Sequence, residues 1–146
     1  LLAMVAVGFW AASLGGRARW IIPACFVAMM TVGALAGVAG LALPANEYLI
    51  AATVVGLGLL VAFEIRIPTP AASALVGLFA LAHGFAHGVE APNDAGFAAF
   101  GLGFVVSTAL LHGVGLGLGA VRFGVRATRV AGLAMTAAGV YFAAVA

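Results

Sequence analysis

The chain has 146 residues, of which 66% are hydrophobic and 7% charged, with a mean hydropathy of +1.28. Soluble domains carry about 25% charged residues, so this composition excludes one and predicts an all-α, polytopic transmembrane helix bundle. The net charge of +2 comes from six arginines and four acids with no lysine, too few basic residues to form a nucleic-acid surface.

A transmembrane β-barrel would need segments of about ten residues with alternating polarity. The apolar runs here are continuous instead, and six can be drawn. The first, 1–14, would rise only about 21 Å as a helix, short of the ~30 Å hydrocarbon core. Because it begins at Leu1 inside an apolar run, the expectation is a single transmembrane domain over 1–146 whose first helix lacks its start. A loop GGRAR at 15–19 leads to the second segment, about 21–43. Its Cys25 is the lone cysteine, cannot form an intrachain disulfide, and reads as a small apolar filler. PANE at 44–47 precedes the third segment, about 48–65, which ends in Glu64 with Arg66 two residues on. IPTP at 67–70 precedes the fourth, about 71–90, and APNDAG at 91–96 the fifth, about 97–121. The basic stretch RFGVRATR at 122–129 leads into the sixth, 130–146. Connections this short predict successive helices as antiparallel neighbours in one bundle.

Charge placement predicts the orientation. Arg17, Arg19, Arg66, Arg122, Arg126 and Arg129 all fall at the first, third and fifth loops. The second and fourth loops hold only acids, Glu47 and Asp94, with Glu90 nearby. By the positive-inside rule the odd loops are cytoplasmic and both chain ends face outside. The glycines are patterned too: Gly33/Gly37, Gly84/Gly88, Gly113/Gly117 and Gly115/Gly119 form GxxxG pairs, read as sites of close helix packing.

Chemistry concentrates in FALAHGFAHGVEAPND at 79–94. His83, His87 and Glu90, spaced i, i+4 and i+7, fall within roughly 60° of arc on one helix face. Ionisable side chains cost about 2.5–3.5 kcal/mol or more each at the centre of a membrane helix, and neutral imidazole with carboxylate suits divalent transition metals. These three residues are the first candidate metal ligands, with Asp94 following in the loop. One helix supplies too few donors for a closed octahedral shell, so further ligands must come from other helices, the loop or water. His112, in STALLHGVGLGLG near mid-membrane, is a second ligand or relay point, and Glu64 a carboxylate at the inner exit.

Binding requires neutral imidazoles, so metal uptake should weaken as pH falls through about 6.5. No Gly-x-Ser-x-Gly elbow, phosphate-cradling loop with lysine, or HExxH zinc helix is present in the sequence. The expectation is therefore a protein that is not an enzyme, moving a metal ion without an ATP site. Two rival readings are a membrane redox or enzyme component, with His87 and His112 as axial haem ligands, and an accessory protein that binds metal without transporting it.

The opening LLAMVAVGFWAA, the run LFALAHGFAHGVE and the segment TALLHGVGLGLG resemble signature regions of the HupE/UreJ family. These are hydrogenase and urease accessory membrane proteins regarded as nickel, sometimes cobalt, permeases. The resemblance implies Ni²⁺ or Co²⁺ as the transported ion with no organic cofactor, a bacterial cytoplasmic membrane location, and an indirect link to urease or hydrogenase maturation proteins. It also implies that His83, His87 and Glu90 occupy the family's second motif and His112 its later histidine position. The family's first motif, a histidine–aspartate–histidine group, is expected just before Leu1.

Overall fold

Each apolar segment becomes a helix whose ends fall at residues unable or unwilling to continue it. The computed structural model describes residues 1–92, 96–121 and 124–146. They form α1 (Leu2–Leu14), α2 (Ala18–Val38), α3 (Asn46–Ala62), α4 (Thr69–Val89), α5 (Phe97–Ala120) and α6 (Val125–Val145), with no strand among the described residues. Gly15 and Gly16, at φ 77° and 51°, turn the chain after α1, and Gly40, at φ 74°, does so after α2. These left-handed conformations carry no steric penalty in glycine. Pro68 and Pro70 frame the start of α4, where a missing N–H costs no helix bond.

Two helices differ most from the sequence reading. Helix α2 spans Ala18–Val38 rather than 21–43, because the Gly40 turn stops it and Arg19 joins its first turn. Helix α6 starts at Val125, five residues before the apolar run, so Arg126 and Arg129 lie on its first two turns. Arginine is a good helix former, and its long side chain can carry the charge away from an apolar surface.

Helix pairing also departs from expectation. The most extensive contacts join α2 to α4, α3 to α6 and α1 to α5, none of them successive. Glycines explain all three pairs. Gly33 and Gly37 of α2 lie against Leu81 and Phe85 of α4, while Gly84 and Gly88 of α4 lie against Met30 and Ala34 of α2. Gly8 of α1 meets the backbone of Gly115 and Leu116 on α5, and Gly119 meets Phe9. Residue numbers rise together along both crossings, so both pairs are parallel. The third pair is antiparallel: Gly132 of α6 sits on Gly58 and Ala62, and Gly139 on Ala51 and Val55. Backbones approach this closely only where no Cβ intervenes, which is the packing mode of membrane helices. Gly113 and Gly117, the remaining pair with a motif spacing, have no neighbouring atom within 4 Å of an added Cβ and lie on the exposed side of α5.

Further contacts run α1–α2, α1–α3 and α3–α4, so α1, α2, α4 and α3 close a four-helix ring. Helix α5 lies against α1 and α2, and α6 against α3. The interior holds Trp10, Ile22, Phe26, Met30, Leu57, Val61 and Val76, all fully buried. Trp10 donates its indole N–H to the Ile65 carbonyl at 2.8 Å, tying α1 to the end of α3. The outer surface is apolar, with Trp20, Leu35, Leu102, Leu110, Val130 and Tyr141 exposed. Hydrocarbon, not water, suits such a surface. Four helices, α2, α4, α5 and α6, are long and apolar enough to cross a membrane; α1 and α3, with 13 and 17 residues, are shorter.

Candidate metal site

Helix α4 carries two histidines one turn apart, and the crossing with α2 fixes what each meets. Gly84 and Gly88, each the residue after a histidine, let α2 approach without side chains between the backbones. His83 is consequently buried, 6% exposed. Its Nε2 lies 2.7 Å from the Thr53 hydroxyl of α3, and that hydroxyl donates to the Ile50 carbonyl at 2.7 Å. The Phe26 ring of α2 packs on the same imidazole, 6.1 Å between centroids.

His87 sits one turn closer to the helix end and is half-exposed. Its Nδ1 lies 3.7 Å from Oε2 of Glu90, the exposed residue that closes α4. The ring stacks at a tilt on Phe104 of α5, 4.4 Å between centroids. Two cavities flank it. One, of about 460 Å³, runs between α2, α4 and the start of α5, past Thr31, Leu35 and Phe97. The other, of about 430 Å³, is bordered by Leu1, Met4, Ser107 and Thr108. Leu1 therefore lines the same space as His87.

His112 comes from α5 and is 2% exposed. Its ring meets the edge of Phe26 at 5.0 Å, so one phenylalanine touches both buried imidazoles. Neither His112 ring nitrogen has a hydrogen-bond partner among the described residues. An imidazole must carry at least one N–H donor or lone-pair acceptor on each nitrogen. Leaving such groups unpaired in an apolar interior costs about 1–3 kcal/mol each, and a fold rarely keeps that without a use. One turn before His112, Thr108 donates to the Met30 sulfur at 3.7 Å.

The sequence candidates thus form a series. His87 and Glu90 pair at one end of the bundle, and His83 and His112 lie buried farther in, both against Phe26. Among the described residues no three His, Cys, Asp or Glu side chains gather closely enough to hold one ion. Asp94 lies outside the described residues, as does Arg122. Glu64 stands far from the histidines, at the other end of the bundle, in a cavity of about 560 Å³ shared with Arg19, Arg66, Ser13 and Thr128. Its backbone is left-handed, φ 49°, in the turn that closes α3, where Ile65 N–H reaches back to the Leu60 carbonyl. Cys25, read as a filler, also donates its thiol to the Ser73 carbonyl at 3.3 Å across the α2–α4 crossing.

Sequence reasoning missed Thr53 and Phe26. Thr53 lies 30 residues from His83, in the apolar middle of its helix, and a core phenylalanine has no distinguishing mark. Only the single threonine amid NEYLIAATVVGLG gave a trace of the first.

Comparison with known proteins places the chain in a family. The family model described as HupE / UreJ protein matches residues 1–142. The chain belongs to the HupE/UreJ family. Protein HupE of Rhizobium leguminosarum bv. viciae is 51% identical over 142 residues, covering 95% of this chain and 74% of the relative. No solved structure matches the chain. Membership in the HupE/UreJ family and the four long apolar helices together make this a membrane protein.

Proposed function

We propose that this HupE/UreJ protein carries Ni²⁺, or Co²⁺, across the bacterial cytoplasmic membrane, supplying the maturation of hydrogenase or urease. The observation that carries the reading is the series of imidazoles through an apolar bundle. A half-exposed His87–Glu90 pair stands at one end, and beneath it lie buried His83 and His112, the latter with both nitrogens unpaired. A structural histidine would have its nitrogens satisfied; one kept free suits a transient ligand.

In this reading the histidine end faces outside and the arginine end faces the cytoplasm, following the positive-inside rule. His87 and Glu90 capture the hydrated ion from the cavities beside them. Two donors leave most of the shell to water in the cavities beside them. The ion then exchanges ligands at His83 and His112 and leaves through the cavity at Glu64. Weak, successive coordination lets an ion enter and also leave. Imidazole and carboxylate suit Cu²⁺ and Zn²⁺ as well as Ni²⁺; nickel rests on the family resemblance.

The test is uptake of radioactive nickel by cells expressing wild type or His87→Ala at equal levels. Loss of uptake in the variant is the expected result, and equal uptake in the two would overturn the reading.

A further inference from the structure

We propose that Thr53 is a positioning residue: its hydroxyl fixes the tautomer of His83 so that Nδ1, and not Nε2, is the nitrogen offered to the ion. This rests on the reading of His83 as a metal ligand. The argument is one of proton counting. Thr53 Oγ1 lies 2.7 Å from the Ile50 carbonyl oxygen and 2.7 Å from His83 Nε2. A threonine hydroxyl has a single proton to donate and can also accept. If that proton went to Nε2, the hydroxyl oxygen would face the carbonyl oxygen at hydrogen-bond distance with no proton between them. Both contacts are hydrogen bonds in only one arrangement: Nε2–H donates to Thr53, and Thr53 donates to Ile50. The Ile50 carbonyl can only accept, so it sets the direction of the whole chain. In the neutral ring Nδ1 then holds the lone pair, the state a metal needs.

The arrangement follows a recurrent pattern of metal-binding histidines, in which the nitrogen away from the metal donates its N–H to a fixed acceptor. Such a bond orients the ring and raises the basicity of the ligating nitrogen. The device here is delivered by α3 to a histidine of α4. It therefore depends on the α3–α4 contact and not on the local HGFAHG motif. Thr53 is 6% exposed and His83 equally so, which leaves water little access to replace the hydroxyl. With Thr53 gone, the Nε2–H would be buried without a partner and the ring would lose its preferred tautomer.

The experiment uses the full chain purified in detergent, as wild type, Thr53→Val, Thr53→Ser and His83→Ala. Ni²⁺ binding is measured by titration calorimetry. The chain has three histidines, so ¹⁵N spectra of histidine-labelled protein without metal, compared with His83→Ala, assign the His83 ring. The expected results are an Nε2–H tautomer at His83 in wild type and Ni²⁺ affinity about 10–100-fold weaker in Thr53→Val, with Thr53→Ser close to wild type. If His83→Ala binds Ni²⁺ as wild type does, His83 is not a ligand and both the reading and the proposal fall. If His83→Ala is weakened but Thr53→Val is not, or if wild-type His83 carries its proton on Nδ1, the proposal falls and the reading stands. Should Thr53→Val fail to fold, the wild-type tautomer decides alone.

Discussion

Gly84 is where packing and site meet, and replacing it with alanine tests both. A Cβ on Gly84 would stand 2.7 Å from the Met30 carbonyl carbon and 2.9 Å from its Cα, with the carbonyl oxygen closer still. Ordinary contact begins at 3.4 Å, and the atoms in the way are backbone, which cannot rotate aside. Helices α2 and α4 would have to part by about 1 Å along this crossing, as close-packed interiors do not absorb an added methyl. Overpacking of this kind costs roughly 1–3 kcal/mol, while alanine returns up to about 1 kcal/mol of helix propensity. The net expectation is a loss of about 1–2 kcal/mol, together with weaker Ni²⁺ binding because Phe26 of α2 is drawn away from His83. The control is Gly113→Ala on α5, where an added Cβ meets nothing within 4 Å. It should unfold at or above the wild-type temperature. Thermal unfolding in detergent, with Ni²⁺ titration of the folded protein, makes the comparison. If Gly84→Ala and Gly113→Ala unfold at the same temperature, the crossing is not set by the glycine contact and the reasoning fails.

Replacing His112 with phenylalanine removes two ring nitrogens that have no partner and keeps an aromatic ring against Phe26. Thermal stability should be unchanged or higher, while nickel uptake falls; a variant that loses stability would mean that His112 serves the fold. Glu64→Gly relieves a left-handed backbone that costs a non-glycine residue about 1–2 kcal/mol. Because glycine also gains entropy in the unfolded chain, thermal unfolding should report a stabilisation of about 0.5–1 kcal/mol. Uptake by the same variant tests the inner exit: an undiminished rate would remove Glu64 from the path.

Much of the fold was legible because its causes are local. Continuous apolar runs and glycine or proline punctuation determine where helices form, and all six were drawn from them. The starts of α2 and α6 shifted because arginine enters a helix readily, so a charge does not mark a helix end as a proline does. His83, His87, Glu90 and His112 stood out because a charged or imidazole side chain is costly in an apolar segment wherever it lies. The pairing of helices was not legible. Short loops suggested successive neighbours, yet glycines distant in sequence bring α1 to α5 and α2 to α4. The same spacing at Gly113 and Gly117 brings no other helix within 4 Å of the Cβ positions among the described residues.

The sequence by itself determined that this is an all-helical membrane protein with its metal-type side chains on α4 and α5, since composition and periodicity act on each segment alone. Only the tertiary structure decided which of those side chains are open, buried or unpaired. Burial and hydrogen bonding belong to pairs of helices: Thr53 of α3 meets His83, and Phe26 of α2 meets both His83 and His112. No spacing along one segment encodes those contacts, because they exist only once the backbones of α2 and α4 have closed on their glycines.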